Sequence, residues 1–237
     1  MVHRVPMAKK RCKLLLASIL LVATTCGAAF AGDILDRIVA TVNGQIILQS
    51  DWDDAVRYEA FMAMRSIQDF SPSERKDALD HLIDQELLKE QMKSSDAPRA
   101  SQQDIEKRIA EVRKQYPGCE TDAAWQAVLA THGVTDAELH ARVGLTLELM
   151  SLVDARLRPS VNIDSASIER YYNQELLPQL RQQGTEAVPL AEVTPKIKEL
   201  LTQEKVSELL VAWLQNLRAG SEIRTPDALS ESPVRMQ

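Results

Sequence analysis

The side chains that most often perform chemistry are poorly placed for it in this chain. The histidines are His3, His81, His132 and His140, and none belongs to a recognised zinc-binding or catalytic motif. The chain also lacks a nucleophile elbow, a phosphate-binding glycine loop and a dinucleotide-binding fingerprint. The sequence therefore predicts no catalytic residue, no metal site and no cofactor.

Carboxylates recur at helical spacing at Asp77, Asp80 and Asp84. Paired carboxylates can act as general acid and base, but a charged stripe along one helix face is usually solvated. We predict a solvated stripe here, and a protein that is not an enzyme.

Apolar side chains offer a different kind of site, one that binds instead of reacting. A helix is predicted from Asp51 to Gln68, and its second half is apolar on nearly all faces. Such a helix is either enclosed by neighbours or presents an apolar surface, and methionine suits an adaptable surface because it is flexible and polarizable. The alternative for every candidate is a place in the core. The candidates for such an apolar binding surface are Tyr58, Phe61, Met62, Met64, Phe70 and Met92.

The first 31 residues have the features of a signal peptide. A basic segment precedes the apolar run from Leu14 to Ala23, and Ala29-Phe30-Ala31 supplies a small-x-small cleavage site. The run is shorter than the roughly 20 residues that span a bilayer, so a membrane anchor is the weaker alternative. Lipidation at Cys26 is another alternative. The mature chain is predicted to begin at Gly32 and to be exported from the cytoplasm.

The charge argues against nucleic acid as a partner. The full chain carries 28 basic and 34 acidic residues, a net charge of −6. The predicted signal peptide holds five basic residues and no acidic one, so its removal leaves −11. Phosphate backbones require a basic surface. Cys119 is the cysteine left after cleavage, so no internal disulfide is expected.

A β-hairpin is predicted between Arg37 and Ser50. Asn43-Gly44 separates two apolar runs, and both turn positions of such a hairpin need positive φ. Ser50 is the predicted N-cap of the helix that follows. Because an isolated hairpin is marginal in water, helices or a further strand must support this one.

The remainder of the chain is predicted to be helical. Capping residues, apolar periodicity and Pro or Gly stops define the elements. The predicted helices begin at Ser71, Ser101, Thr121, Thr135 and Ser165, and a last one runs from Leu190 to Ala219; a strand follows at Glu222–Thr225, and residues 227–237 form a disordered tail.

Together these segments resemble the N-terminal domain of the SurA family of periplasmic chaperones. The most specific block is DRIVATVNGQIILQSD, from Asp36 to Asp51. The weaker segments are LIDQELL from Leu82, VNID from Val161, IERYYN from Ile168, VPLAEV from Val188 and LVAWL from Leu210.

The resemblance implies a mainly α, discontinuous domain. Residues 32–181 would form the SurA N-terminal-like part, and residues 190–226 would pack back on it. The strand at Ile223 would pair with the strand Arg37–Val42 in a small sheet. In that family a parvulin isomerase domain normally lies near the linker 182–189. Only Gln174 to Val188 occupy that position here, too few for a domain, so no family catalytic residue is carried over.

The function implied by the resemblance is an ATP-independent holdase. It would bind unfolded outer-membrane or secreted polypeptides in an apolar cleft between the N-terminal helices and the last helix. One alternative is a scaffold that binds a dedicated partner or a second copy of itself. Another is a family member that retains peptidyl-prolyl isomerase activity.

Overall fold

A small sheet joins the two ends of the part of the chain that the computed structural model describes, residues 36–95 and 99–226. The predicted signal peptide, lipidation site and tail lie outside these residues. Strands β1 (Ile38–Val42) and β2 (Gln45–Leu48) form the predicted hairpin. Its turn residues have φ values of 48° at Asn43 and 85° at Gly44, as the Asn-Gly signal requires.

Strand β3 (Ile223–Arg224) supplies the support that the hairpin needs. It pairs antiparallel with β1, with Val42 opposite Ile223, in the strand order β2-β1-β3. The Asn43 side-chain oxygen accepts a hydrogen bond from the backbone N–H of Glu222 at 2.8 Å. This pairing confirms the expectation that the Ile223 strand returns to the first strand.

Helices make up most of the remaining structure. Side chains of Ser71, Ser101, Thr121 and Thr135 cap four of them, as predicted. The helices are α1 (Gln49–Met62), α2 (Pro72–Lys93), α3 (Gln102–Gln115), α4 (Asp122–His132), α5 (Asp136–Leu157), α6 (Ser165–Tyr171), α7 (Leu177–Gln182) and α8 (Leu190–Ala219).

The predicted bounds of the first helix were wrong at both ends. Its N-cap is Leu48, whose backbone N–H donates to the Asp51 carboxylate at 2.9 Å, while the Ser50 hydroxyl bonds the Asp36 carboxylate. The helix stops at Met62, and a 3₁₀ turn at Ile67–Asp69 follows. Ala63, just beyond the last helical residue, is therefore exposed.

The helix predicted from Ser165 is interrupted by a π-helical turn at Tyr172–Leu176. Pro178 lies one residue into α7 and has no N–H to donate to the carbonyl of the preceding turn. The backbone N–H of Leu177 instead bonds the carbonyl of Tyr172, five residues back.

The buried residues form clusters on both sides of α1. One cluster lies between α1 and helices α3, α4 and α5, and is centred on Phe61 and Trp125. A second joins β1 and β2 to α2, with Leu217 and Ile223 packed against it. A third surrounds Phe70 and Val56. The C-terminal residues thus complete a core that the N-terminal hairpin begins.

Candidate functional site

An apolar groove of about 410 Å³ lies between α2, α5 and α8. Such a volume falls within the roughly 300–1,000 Å³ range of ligand sites. The resemblance implied a cleft between the N-terminal helices and the last helix, and the groove lies at that position. Its apolar lining is formed by Leu88, Leu149, Met150, Val153, Val206, Leu210 and Leu214.

Helix α8 forms one wall of the groove because it carries more apolar side chains than its neighbours cover. Of its thirty residues, only Ile197 and Val206 are fully buried. Leu200 is 41% exposed and Val211 is 56% exposed. A helix that is apolar on several faces normally lies inside a larger core. Here the excess apolar surface faces the groove and the solvent.

The C-terminal end of α8 is fastened to α2 by Arg218. Its guanidinium donates to the carboxylates of Asp84 at 2.6 Å and Asp80 at 3.3 Å, and to the backbone carbonyl of Asp80 at 2.9 Å. The hydrogen bond to Asp84 is the largest cause that raises the pKa of Arg218. Asp77 is exposed, as the predicted solvated stripe requires, but Asp80 and Asp84, which are 42% and 23% exposed, are also ion-paired with Arg218.

Two contacts, one in each half of α8, hold this helix against the end of α5. Arg158, just after α5, donates to the Glu199 carboxylate at 3.0 Å. The Arg156 guanidinium lies 4.8 Å from the centre of the Trp213 ring, within cation–π distance. Together with the ion pairs of Arg218, these contacts hold α8 across α5 and α2 and so keep the groove formed.

The rim of the groove is polar, although its floor is aliphatic. His81 is 69% exposed and its Nδ1 lies 2.9 Å from the Glu59 carboxylate. Asp154 lies 3.5 Å from Arg158. Met150, which lines the groove, is 57% exposed, so its flexible side chain is accessible. An aliphatic floor with a polar rim suits an apolar segment of polypeptide whose backbone remains near water.

None of the six sequence-predicted groove residues lines this groove. Phe61 is fully buried, stacked on Tyr116 with ring centroids 5.3 Å apart, and its carbonyl accepts a hydrogen bond from the Tyr116 hydroxyl. Tyr58 and Met62 pack against the same cluster. Phe70 is 8% exposed in another cluster. These four residues therefore lie in or against the core, which was the alternative to a place in the groove.

The other two candidates remain accessible. Met92 is half-buried near the end of α2. Met64 is 51% exposed and lines a separate cavity beyond the end of α1. One feature of the sequence could have indicated the groove residues that we did not predict. Leu149-Met150 and Leu152-Val153 place apolar side chains on more than one face of α5.

The histidines and the cysteine form no chemical centre in the described ranges. No group of three potential metal ligands occurs among residues 36–95 and 99–226. His140 contacts the Glu106 carboxylate at 3.1 Å and the Asp136 carboxylate at 3.3 Å, and its pKa is raised mainly by its bond to the Asp136 backbone. Cys119 is buried. In the same part of the chain, no helix is both long and apolar enough to cross a bilayer.

The fold is a helical module with an open apolar groove, and a comparison with protein families identifies its family. A family model described as the SurA-like N-terminal domain matches residues 7–152. The chain belongs to the family of proteins with a SurA-like N-terminal domain. No curated protein matches the chain. The match ends within α5, so the wall formed by α8 lies beyond the matched residues.

Proposed function

We propose that this protein is a periplasmic, ATP-independent holdase that binds apolar segments of unfolded outer-membrane or secreted proteins in the groove between α2, α5 and α8. Membership of the SurA-like family supports a chaperone-like role. The predicted signal peptide supports export. The mechanism requires no nucleotide, since binding follows from burial of apolar surface alone.

The observation that carries this proposal is the uncovered apolar face of α8. A helix wall that buries only two of its thirty residues retains apolar area for a ligand. Met150, on the facing helix, adds a flexible and polarizable contact. Flexible side chains in an open groove allow many sequences to bind weakly, as a holdase requires.

The direct test follows light scattering when a urea-unfolded outer-membrane β-barrel protein is diluted with and without the purified exported chain. We expect the chain to suppress aggregation at stoichiometric or slightly higher concentrations. The variant Met150→Ser should suppress aggregation less well. Val211→Ser is the matched control, because Val211 is similarly exposed, at 56%, but does not line the groove.

Two results would count against the proposal. If the chain fails to suppress aggregation at several-fold excess, a dedicated partner becomes the better explanation of the groove. If both variants act like the wild type, binding occurs elsewhere. A prolyl-peptide isomerisation assay run in parallel should show no rate above background, since the family match covers a SurA-like N-terminal domain and not an isomerase domain.

A further inference from the structure

Strand β2 forms an open edge of the small sheet. The strand order is β2-β1-β3, and within the described residues β2 pairs with β1 alone. Native edge strands are often protected from further pairing by a charged side chain or a proline. The sequence of β2 is Gln45-Ile46-Ile47-Leu48, which has neither. Because Ile46 is also 55% exposed, this edge is both apolar and accessible.

The register of the sheet decides which backbone groups point away from β1. Successive residues of a strand direct their N–H and C=O groups to opposite edges. The N–H of Asn43 donates to the carbonyl of Glu222 at 2.9 Å, so the groups of Val42 are directed towards β2. Those of Thr41 are therefore directed towards β3, and Ile46 lies opposite Thr41. The N–H and C=O of Ile46 consequently point away from β1, and they bond no other backbone group in the described ranges.

A cleft of about 330 Å³ lies beside this edge, between α2 and α5. Ile46 and Ile47 both line it. Because consecutive side chains of a strand point to opposite faces of the sheet, a cleft that contacts both lies at the edge of the strand. Leu82 of α2 and Leu145 of α5 supply further apolar lining. The cleft is thus at the position that an additional strand would occupy.

The charge of the cleft favours a cationic ligand. Its basic side chains are Lys89 and Arg142, and they are outnumbered by four carboxylates, those of Asp51, Asp54, Glu86 and Glu138. A second copy of this chain would bring the same carboxylates to the interface, and like charges there oppose association. Its own β2 would also lie inside a cleft between two helices. A single extended polypeptide segment has neither difficulty.

We propose that β2 binds an extended, positively charged segment of polypeptide as an additional strand. The segment exchanges backbone hydrogen bonds with Ile46 and packs side chains against Leu82 and Leu145. Strand addition of this kind derives its affinity from main-chain hydrogen bonds, so it accepts many sequences. This inference rests on the proposed holdase function for the identity of the ligand, an unfolded client. It adds a second binding mode, in which the backbone of the client is recognised.

The test uses a fluorescein-labelled peptide of seven residues, in which threonine and valine alternate and a lysine lies at each end. A second peptide carries glutamate in place of both lysines. Each is titrated by fluorescence anisotropy with the purified exported chain, with Ile46→Pro and with Met150→Ser. Proline removes the outward N–H at position 46 and is tolerated at a sheet edge. The urea midpoint of each variant shows whether it remains folded.

We expect Ile46→Pro to weaken binding of the lysine peptide about tenfold, as the loss of one hydrogen bond and of an apolar contact predicts. Met150→Ser should bind this peptide like the wild type, because Met150 lines the groove and not the cleft. The glutamate peptide should bind the wild type at least tenfold more weakly than the lysine peptide.

Amide hydrogen exchange in the wild-type chain tests the same contact without a substitution. In NMR spectra, the lysine peptide should slow exchange of the Ile46 amide. The Ile223 amide is the internal control. Because Ile223 lies opposite Val42, its N–H points to the other edge of the sheet, and its exchange should not change.

Three results would overturn strand addition. One is a bound lysine peptide that leaves exchange of the Ile46 amide unchanged. Another is an equal loss of affinity in Met150→Ser and Ile46→Pro, which would place the peptide in the groove. The third is a dimer, detected by sedimentation of the chain alone, that Ile46→Pro dissociates, because the occupant would then be a second copy.

The proposed function fails or stands separately. If the chain suppresses aggregation but does not bind the lysine peptide, strand addition is wrong while the holdase proposal stands. If the chain binds this peptide at β2 but does not suppress aggregation, the holdase proposal fails and strand addition stands for extended peptides alone.

Discussion

Arg218 and Asp84 form an ion pair at 2.6 Å although 134 positions separate them in the chain. The pair joins the end of α8 to the middle of α2. Asp84 lies one helical turn before Leu88, which lines the groove. Leu217, the preceding residue, packs against the cluster that holds β1 and α2 together. Leu217 and Arg218 therefore hold the end of α8 both to the core beneath the sheet and to α2, which forms one side of the groove.

Replacing Arg218 with alanine should lower the free energy of unfolding by about 1 kcal/mol, the upper part of the range for partly exposed ion pairs. The three side chains are 23–42% exposed, so solvent screens the interaction. Urea denaturation gives the value. Arg224→Ala is the control, because Arg224 is 76% exposed and pairs only with nearby Glu222 in the described part of the chain. Equal losses in both variants would argue that Arg218 has no special role.

Gly133→Ala should destabilise the fold by roughly 1–2 kcal/mol, the cost of left-handed backbone for a residue with a Cβ. Gly133 ends α4 with φ of +64°, and an added Cβ would lie 3.2 Å from Cδ of Arg57. Gly220→Ala is the matched control, since Gly220 ends α8 with φ of −90° and has no contact closer than 3.5 Å. Thermal and urea unfolding of the two variants should rank them in that order.

Phe61→Ala should cost about 3–5 kcal/mol of stability, as expected for a large aromatic removed from a packed core. The ring is fully buried against Tyr116 and Trp125. Met64→Ala, three residues away and exposed, should change stability by less than about 0.5 kcal/mol. If Phe61→Ala unfolds at the wild-type urea concentration, the assignment of this residue to the core is wrong.

Glu74 should make the fold sensitive to acid. A hydrogen bond from Arg65, followed by one from the Ser71 backbone, lowers the pKa of this carboxyl from 4.5 to about 2. Because the folded-state pKa is depressed, the ionised side chain stabilises the protein above pH 4.5, and this stabilisation is lost as the pH falls towards 2. Glutamine can still accept the capping hydrogen bond but cannot form the ion pair.

Glu74→Gln should therefore be less stable than the wild type at pH 7, and the two should converge between pH 4.5 and 2. Urea denaturation at several pH values measures the difference. A difference that is constant with pH would show that the ionisation of Glu74 does not contribute.

Local features of this fold were predictable because nearby residues specify them. Asn43 and Gly44 can adopt positive φ, so the hairpin turn was placed correctly. Ser71 and Thr135 each accept a bond from a backbone N–H three residues on, so the starts of α2 and α5 were placed correctly. The bounds predicted for α8 were also correct. The family resemblance added the pairing of Ile223 with the first strand.

The candidate groove was less predictable because apolar patterning does not say which neighbour covers each face. Phe61 and Met64 lie three residues apart in an apolar segment, and both were candidates for the groove. The helix ends between them, so Phe61 points into the core while Met64 remains exposed. Met150 and Leu210 line the groove only because α8 returns across α5 and α2.

The sequence by itself determined the turns, the helix starts and the apolar stripes, because these depend on backbone preferences and hydrogen bonds within a few residues. Only the tertiary structure decided which apolar surface stays open. That choice depends on contacts between distant segments, such as the ion pair of Arg218 with Asp84, and the spacing of residues along the chain carries no record of such a contact.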